Sequence, residues 1–194
     1  NFLNCFDKIE QITYHVHPTL DLAILEFKGF NKILYTSHAT FIKDSTTIKQ
    51  GKYLCRTGFP FPEYNNFKHN TETDDIEWTN TGNPNSPAFP IDGSVTRFVG
   101  NPDAGGIVGI ELSTPGLRGQ SGGPLFDVNG NVYGMQSATN HLHLGFDIKD
   151  KEIINEGKKS KVSNYPFLHV GICVHVDKIK EFLTQHNIAF KESE

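Results

Sequence analysis

The stretch Gly119-Gln120-Ser121-Gly122-Gly123-Pro124, running straight into Leu125–Ala138, constrains this chain more than any other. A serine set among glycines can sit on a tight loop with its Oγ exposed. Its small neighbours let another backbone approach the loop's own N–H groups. Two such N–H groups aimed at one point stabilise a tetrahedral oxyanion, often by several kcal/mol of barrier. The next residues are strand-like: Pro124–Val128, an Asn129-Gly130 turn and Val132–Ser137. Asn-Gly between alternating apolar runs is among the strongest hairpin signals. The simpler alternative is a glycine-rich turn with an incidental serine.

The rest of the chain reads the same way. With 194 residues it is long enough for one large domain or two small ones with a real core. Its 18 glycines and 10 prolines favour short strands and turns over long helices. Further strand candidates are Ile12–Val16, the run Leu22–Leu25, Lys32–Thr36, Lys52–Arg56, Ser94–Val99, Gly106–Leu112 and Phe167–Val176. Residues 61–90 are polar and without period, and 147–166 are charge-rich; both read as connections or solvated loops. Val176, Ile179, Phe182 and Leu183 recur at helical spacing, so a helix is expected over about 177–186. The expectation is an all-β body with a C-terminal helix.

Net charge is −4, which argues against a nucleic-acid surface, and no apolar run is long enough to be a membrane span. The three cysteines, Cys5, Cys55 and Cys173, lack framework spacing and read as reduced thiols, which suggests a cytoplasmic location. Asn1 does not look like the beginning of the gene product, and no signal segment is visible after it.

The run GQSGGPLFDVNGNVYGMQSA resembles the nucleophile segment of trypsin-like (chymotrypsin-fold) serine peptidases, most closely the bacterial, disulfide-free, high-temperature-requirement kind. Asp21-Leu22-Ala23-Ile24-Leu25 resembles the family's aspartate strand. Gly51–Pro60 resembles the last strand of its first barrel, and Gly93–Thr96 the opening of the second. The resemblance implies two antiparallel β-barrels, the first incomplete in this chain. Residues 1–62 would hold the remainder of that barrel, 63–89 a connector, 90–176 the second barrel and 177–190 the helix.

It also implies a serine endopeptidase acting on polypeptide, without a cofactor. Ser121 would be the nucleophile and Asp21 the carboxylate that orients the base; Gly119 and Ser121 would lend the oxyanion N–H groups. The Ser137 hydroxyl would support the aspartate, and the edge Ser137-Ala138-Thr139 would pair with substrate as an added strand. Pro115 and Gly171 would form the base and wall of the primary specificity pocket.

Departures from the pattern carry information too. Pro115 leaves no acid at the pocket base, which disfavours Lys or Arg before the cut and favours an apolar or small residue. Gln120 stands where an activating Asp is usual in the family, so pairing with a new N-terminal ammonium has no partner, which leaves control to a regulatory domain or partner outside this chain. Leu117 replaces a cysteine.

The base is the missing part. His15 and His17 adjoin Asp21 too closely, and His38 comes after it in the chain, which would require a rearranged topology. The expectation is a histidine upstream of residue 1. The rival reading is a catalytically inactive module that binds extended peptides. His141-x-His143, with Asp147 near, has the outline of a zinc site but reads better as exposed loop histidines. Thr71–Glu77 lacks the glycine and spacing of a calcium loop, and Trp78 is expected to anchor packing between units.

Overall fold

Period-two patterning and glycine punctuation produce fourteen strands and one α-helix among the described residues of the computed structural model. Those residues are 5–60, 63, 65–83, 85–100, 106–146 and 148–194. The strands are β1 (Gln11–Val16), β2 (Ala23–Lys28), β3 (Thr40–Phe41), β4 (Tyr53–Arg56), β5 (Phe67–Asn70), β6 (Asp75–Trp78) and β7 (Ile91–Gly100). After them come β8 (Ile107–Leu112), β9 (Pro124–Phe126), β10 (Asn131–Leu142), β11 (Lys151–Asn155), β12 (Lys158–Val162) and β13 (Leu168–His175). The helix α1 (Val176–Gln185) and a short β14 (Lys191–Glu192) close the chain.

Six strands close on themselves in the order β13-β8-β7-β4-β9-β10, with β10 returning to β13. Closure removes the free edges a six-stranded sheet would expose. Leu54, Val95, Ile110, Leu112, Leu125, Tyr133 and Cys173 come from all six strands and fill the interior. Each contributes about 1.5–3 kcal/mol by leaving water if apolar and fully enclosed. This is the all-β body with a terminal helix that the patterning predicts.

One boundary moves. The resemblance makes Gly51–Pro60 the end of the first barrel, yet Tyr53–Arg56 pairs antiparallel with β7 and β9 inside the closed barrel. The expected division near residue 62 therefore falls after the closed barrel's first strand. The run YLCR looks alike for either assignment, because its neighbours are decided by pairing with residues 35 or more positions away.

Other expectations shift for local reasons. The 61–90 region contains the β5–β6 hairpin, and 147–166 contains the β11–β12 hairpin, both exposed ribbons joined by tight turns. Lys32–Thr36 forms only an isolated bridge, Phe6 to Ile33. Trp78 is 68% exposed and meets Phe67 edge-on, so it anchors a hairpin face and not a junction between units.

β1 and β2 form a separate two-stranded ribbon. Its alternation is as read, but the apolar side is open: Tyr14 is 69% and Val16 65% exposed, with Ile12 and Leu25 also exposed. The ribbon's far end is held by α1. Leu22, Val174, Ile179 and Phe182 form a second core cluster, joined by Leu20 and Ile24. His175 caps the helix, its Nδ1 accepting from the Asp177 N–H at 3.2 Å.

Candidate functional site

Asp21 owes its position to the leucines beside it. Leu20 and Leu22 are drawn into the cluster under α1, and the Leu22 N–H donates to the Leu20 carbonyl at 2.8 Å, a tight three-residue turn centred on Asp21. The carboxylate is thereby left facing away from that cluster. It meets Ser137, whose Oγ donates to Asp21 Oδ2 at 2.7 Å.

Ser137 is special in its strand. The β10–β13 register runs Gln136 to Cys173 and then Ala138 to Ile172, so Ser137 is the extra residue of a bulge. Bulges re-aim side chains and release backbone groups from the ladder. Here the released carbonyl of Ser137 accepts a long contact, 3.4 Å, from Ser121 Oγ. Ser137 thus bridges the two expected catalytic residues, with its hydroxyl on one and its carbonyl on the other.

Ser121 is exposed on the 117–123 loop, which is held backbone to backbone against residues 57–60. The Phe59 N–H donates to the Gly119 carbonyl at 2.9 Å. Gly119 has φ +92°, and a Cβ there would run into the Phe59 carbonyl, so only glycine fits. Buried Gln120 pins the loop from within: its Oε1 accepts from Leu117 N–H and its Nε2 donates to the Phe89 carbonyl, both at 3.0 Å. A satisfied carboxamide does here, without charge, what an ion pair would otherwise do. Among the described residues the N–H groups of Gly119 and Ser121 have no acceptor within the chain.

A cavity of about 420 Å³ opens beside Ser121, lined by residues 116–118, 136–139 and His141. Past Ser137, β10 pairs among the described residues with β13 alone, which leaves its other edge open to them along Ala138 and Thr139. Pro115 and Gly171 are not among the lining residues. They lie one layer deeper, against the Arg56 side chain, whose Nη2 donates to the Pro115 carbonyl at 3.1 Å.

Arg56 is the residue sequence reasoning missed. It is 0% exposed and carries its charge beneath the cavity. Nη1 donates to Gln136 Oε1 at 2.7 Å, and Nη2 also donates to the Thr114 carbonyl and hydroxyl at 2.9 and 2.6 Å. Nε has no partner among the described residues. Burial pulls the guanidinium below its ordinary pKa, and it pushes the neighbouring Cys173 thiol up to about 12. The available signal was an arginine inside an otherwise apolar strand, which costs several kcal/mol unless something uses it.

The histidines fall elsewhere. His17 Nδ1 accepts from the N–H groups of Thr19 and Leu20 at 3.2 and 3.1 Å, and its ring packs on Phe182. His15 stacks near His186, and His38 is exposed. Among the described residues the side chains of Asp21 and Ser121 hydrogen-bond to Ser137 alone. His141 meets His169 across the strands, Nδ1 to Nδ1 at 2.6 Å. Asp147 lies outside the described residues, and among those described no three potential metal ligands converge.

A family model described as "Trypsin-like peptidase domain" matches residues 7–135, a span that includes β1–β9, Asp21 and Ser121. No curated protein matches the chain.

Proposed function

Because the chain belongs to the trypsin-like peptidase domain family, we propose that it is a serine endopeptidase that cleaves polypeptides through an acyl-enzyme on Ser121. The observation that carries this reading is the relay Asp21–Ser137–Ser121 beside two N–H groups that have no acceptor among the described residues. Ser121 Oγ attacks the scissile carbonyl as a base takes its proton. The oxyanion is received by the N–H groups of Gly119 and Ser121; the amine departs with the proton, and water then releases the acyl group. Substrate lies along the open edge of β10 at Ala138 and Thr139.

The base in this reading is a histidine on strands that precede residue 1, oriented by Asp21. The open apolar side of the β1–β2 ribbon supports it: strands laid there would cover Tyr14 and Val16 and bring a side chain to Asp21. The free cysteines Cys5, Cys55 and Cys173 fit the disulfide-free bacterial kind and a reducing, cytoplasmic setting.

A second reading is an inactive module that captures extended peptides. What favours it is that only Ser137 serves the side chains of Asp21 and Ser121 among the described residues. A fluorophosphonate probe on the full-length gene product separates the two. Labelling lost in Ser121→Ala supports the peptidase; no labelling from pH 6 to 9 leaves the binding module.

A further inference from the structure

Behind the cavity beside Ser121, one residue deep past Gln136, lies a positive charge that nothing in the described residues neutralises. Arg56 is fully buried, its partners are carbonyl, hydroxyl and amide oxygens, and it forms no ion pair among the described residues. A guanidinium only donates, so it compels Gln136 to turn its Oε1 inward. The Gln136 Nε2 is consequently turned the other way, packed on Gly116 and donating to the Ala138 carbonyl at 2.8 Å. That uses one of its two hydrogens, and Gln136 is itself among the residues that line the cavity. Arg118 stands at the lining as well, His141 adds an imidazole, and none of the described lining residues is acidic.

We propose that this cavity receives a carboxylate side chain, Glu ahead of Asp, from the residue before the cleaved bond. The inference rests on the peptidase reading of the site and replaces the apolar-or-small preference drawn from Pro115. An apolar side chain would strip water from the amide donor and the charge behind it without replacing a hydrogen bond. A Lys or Arg side chain would bring like charge against Arg56. A carboxylate accepts from Gln136 and sets a negative charge across that amide from Arg56, an attraction in a poorly solvated setting. A site built to hydrogen-bond its ligand discriminates far more sharply than an apolar one.

Fluorescence polarisation with dye-labelled tetrapeptides that differ only in a C-terminal Glu, Gln, Leu or Lys tests this on the wild-type chain, since binding of a product-like peptide needs no base. The expected order is Glu, then Gln, then Leu and Lys, with Glu at least about tenfold tighter than Leu and Lys. The preference should persist in 0.5 M NaCl, because a buried charge is poorly screened. In Arg56→Met the Glu-over-Gln difference is expected to vanish; should that variant fail to fold, the wild-type ranking still decides. Equal binding of Glu and Gln, a Leu or Lys preference, or no binding of any peptide overturns the proposal. Serine labelling separates this from the peptidase reading. A labelled protein indifferent to Glu keeps the enzyme and loses the pocket, while an unlabelled protein that prefers Glu does the reverse.

Discussion

Ser137 donates to Asp21 across 116 residues of sequence, at 2.7 Å, from the one position in β10 that a bulge removes from its ladder with β13. The carboxylate would otherwise be exposed and free to rotate. Its direction therefore depends on a hydroxyl that the strand presents only because pairing fails there.

Removing that hydroxyl should affect chemistry more than stability. Ser137→Ala is expected to slow probe labelling of Ser121 roughly five- to tenfold, the loss of about one charge-assisted hydrogen bond. Thermal unfolding should shift little, because the partner carboxylate is exposed to water. Labelling rates and melting curves on the same samples check this, and Ser137→Thr should restore much of the rate.

Gln120 is a tie with both ends occupied. Gln120→Ala removes the hydrogen bonds that Gln120 makes to the Phe89 carbonyl and the Leu117 N–H and opens a buried space. A destabilisation of about 2–4 kcal/mol is expected by denaturant titration. Gln120→Glu should fare worse near neutral pH, since a carboxylate cannot donate to Phe89.

Two loop glycines should behave differently although both have positive φ. At Gly119 a Cβ runs into the Phe59 carbonyl, whereas at Gly122 it meets open space at φ +81°. Gly122→Ala should cost about 1 kcal/mol of backbone strain. Gly119→Ala should cost more and abolish probe labelling, because the loop must leave residues 59–60 to accommodate it. Chemical denaturation with parallel labelling compares the pair.

His175 makes stability depend on pH in a defined direction. Burial lowers its pKa from 6.5; Asp177 pulls it back up, while Lys180 and Lys178 add to the lowering. The unfolded chain therefore binds the proton more readily. The contribution is fully present above about pH 6.5 and is lost as pH falls through the lower folded value. His175→Asn keeps a helix cap and removes the titration. The loss of unfolding free energy between pH 7.5 and 5.5 should be smaller in this variant than in wild type.

Much of the body is legible in the residues. The alternation of Ile12, Tyr14 and Val16, the Asn129-Gly130 turn and the stripe Val176, Ile179 and Phe182 all encode local geometry, and strands and helix stand where they point. Burial is less legible: the Tyr14 side of its ribbon is patterned for a core but open. The strand Tyr53–Arg56 reads as belonging to other neighbours than it has, because a four-residue run carries no record of its partners.

Chain chemistry alone determined that residues 119–124 form a tight turn presenting a serine, since glycine's freedom and proline's rigidity act over a few bonds. Tertiary structure alone decided that Asp21 meets Ser137, that Ser137 falls on a bulge and that Arg56 lies beneath the cavity. Those three facts depend on register between distant strands, and register is set by how the whole barrel closes and buries its side chains, a sum that no local window contains.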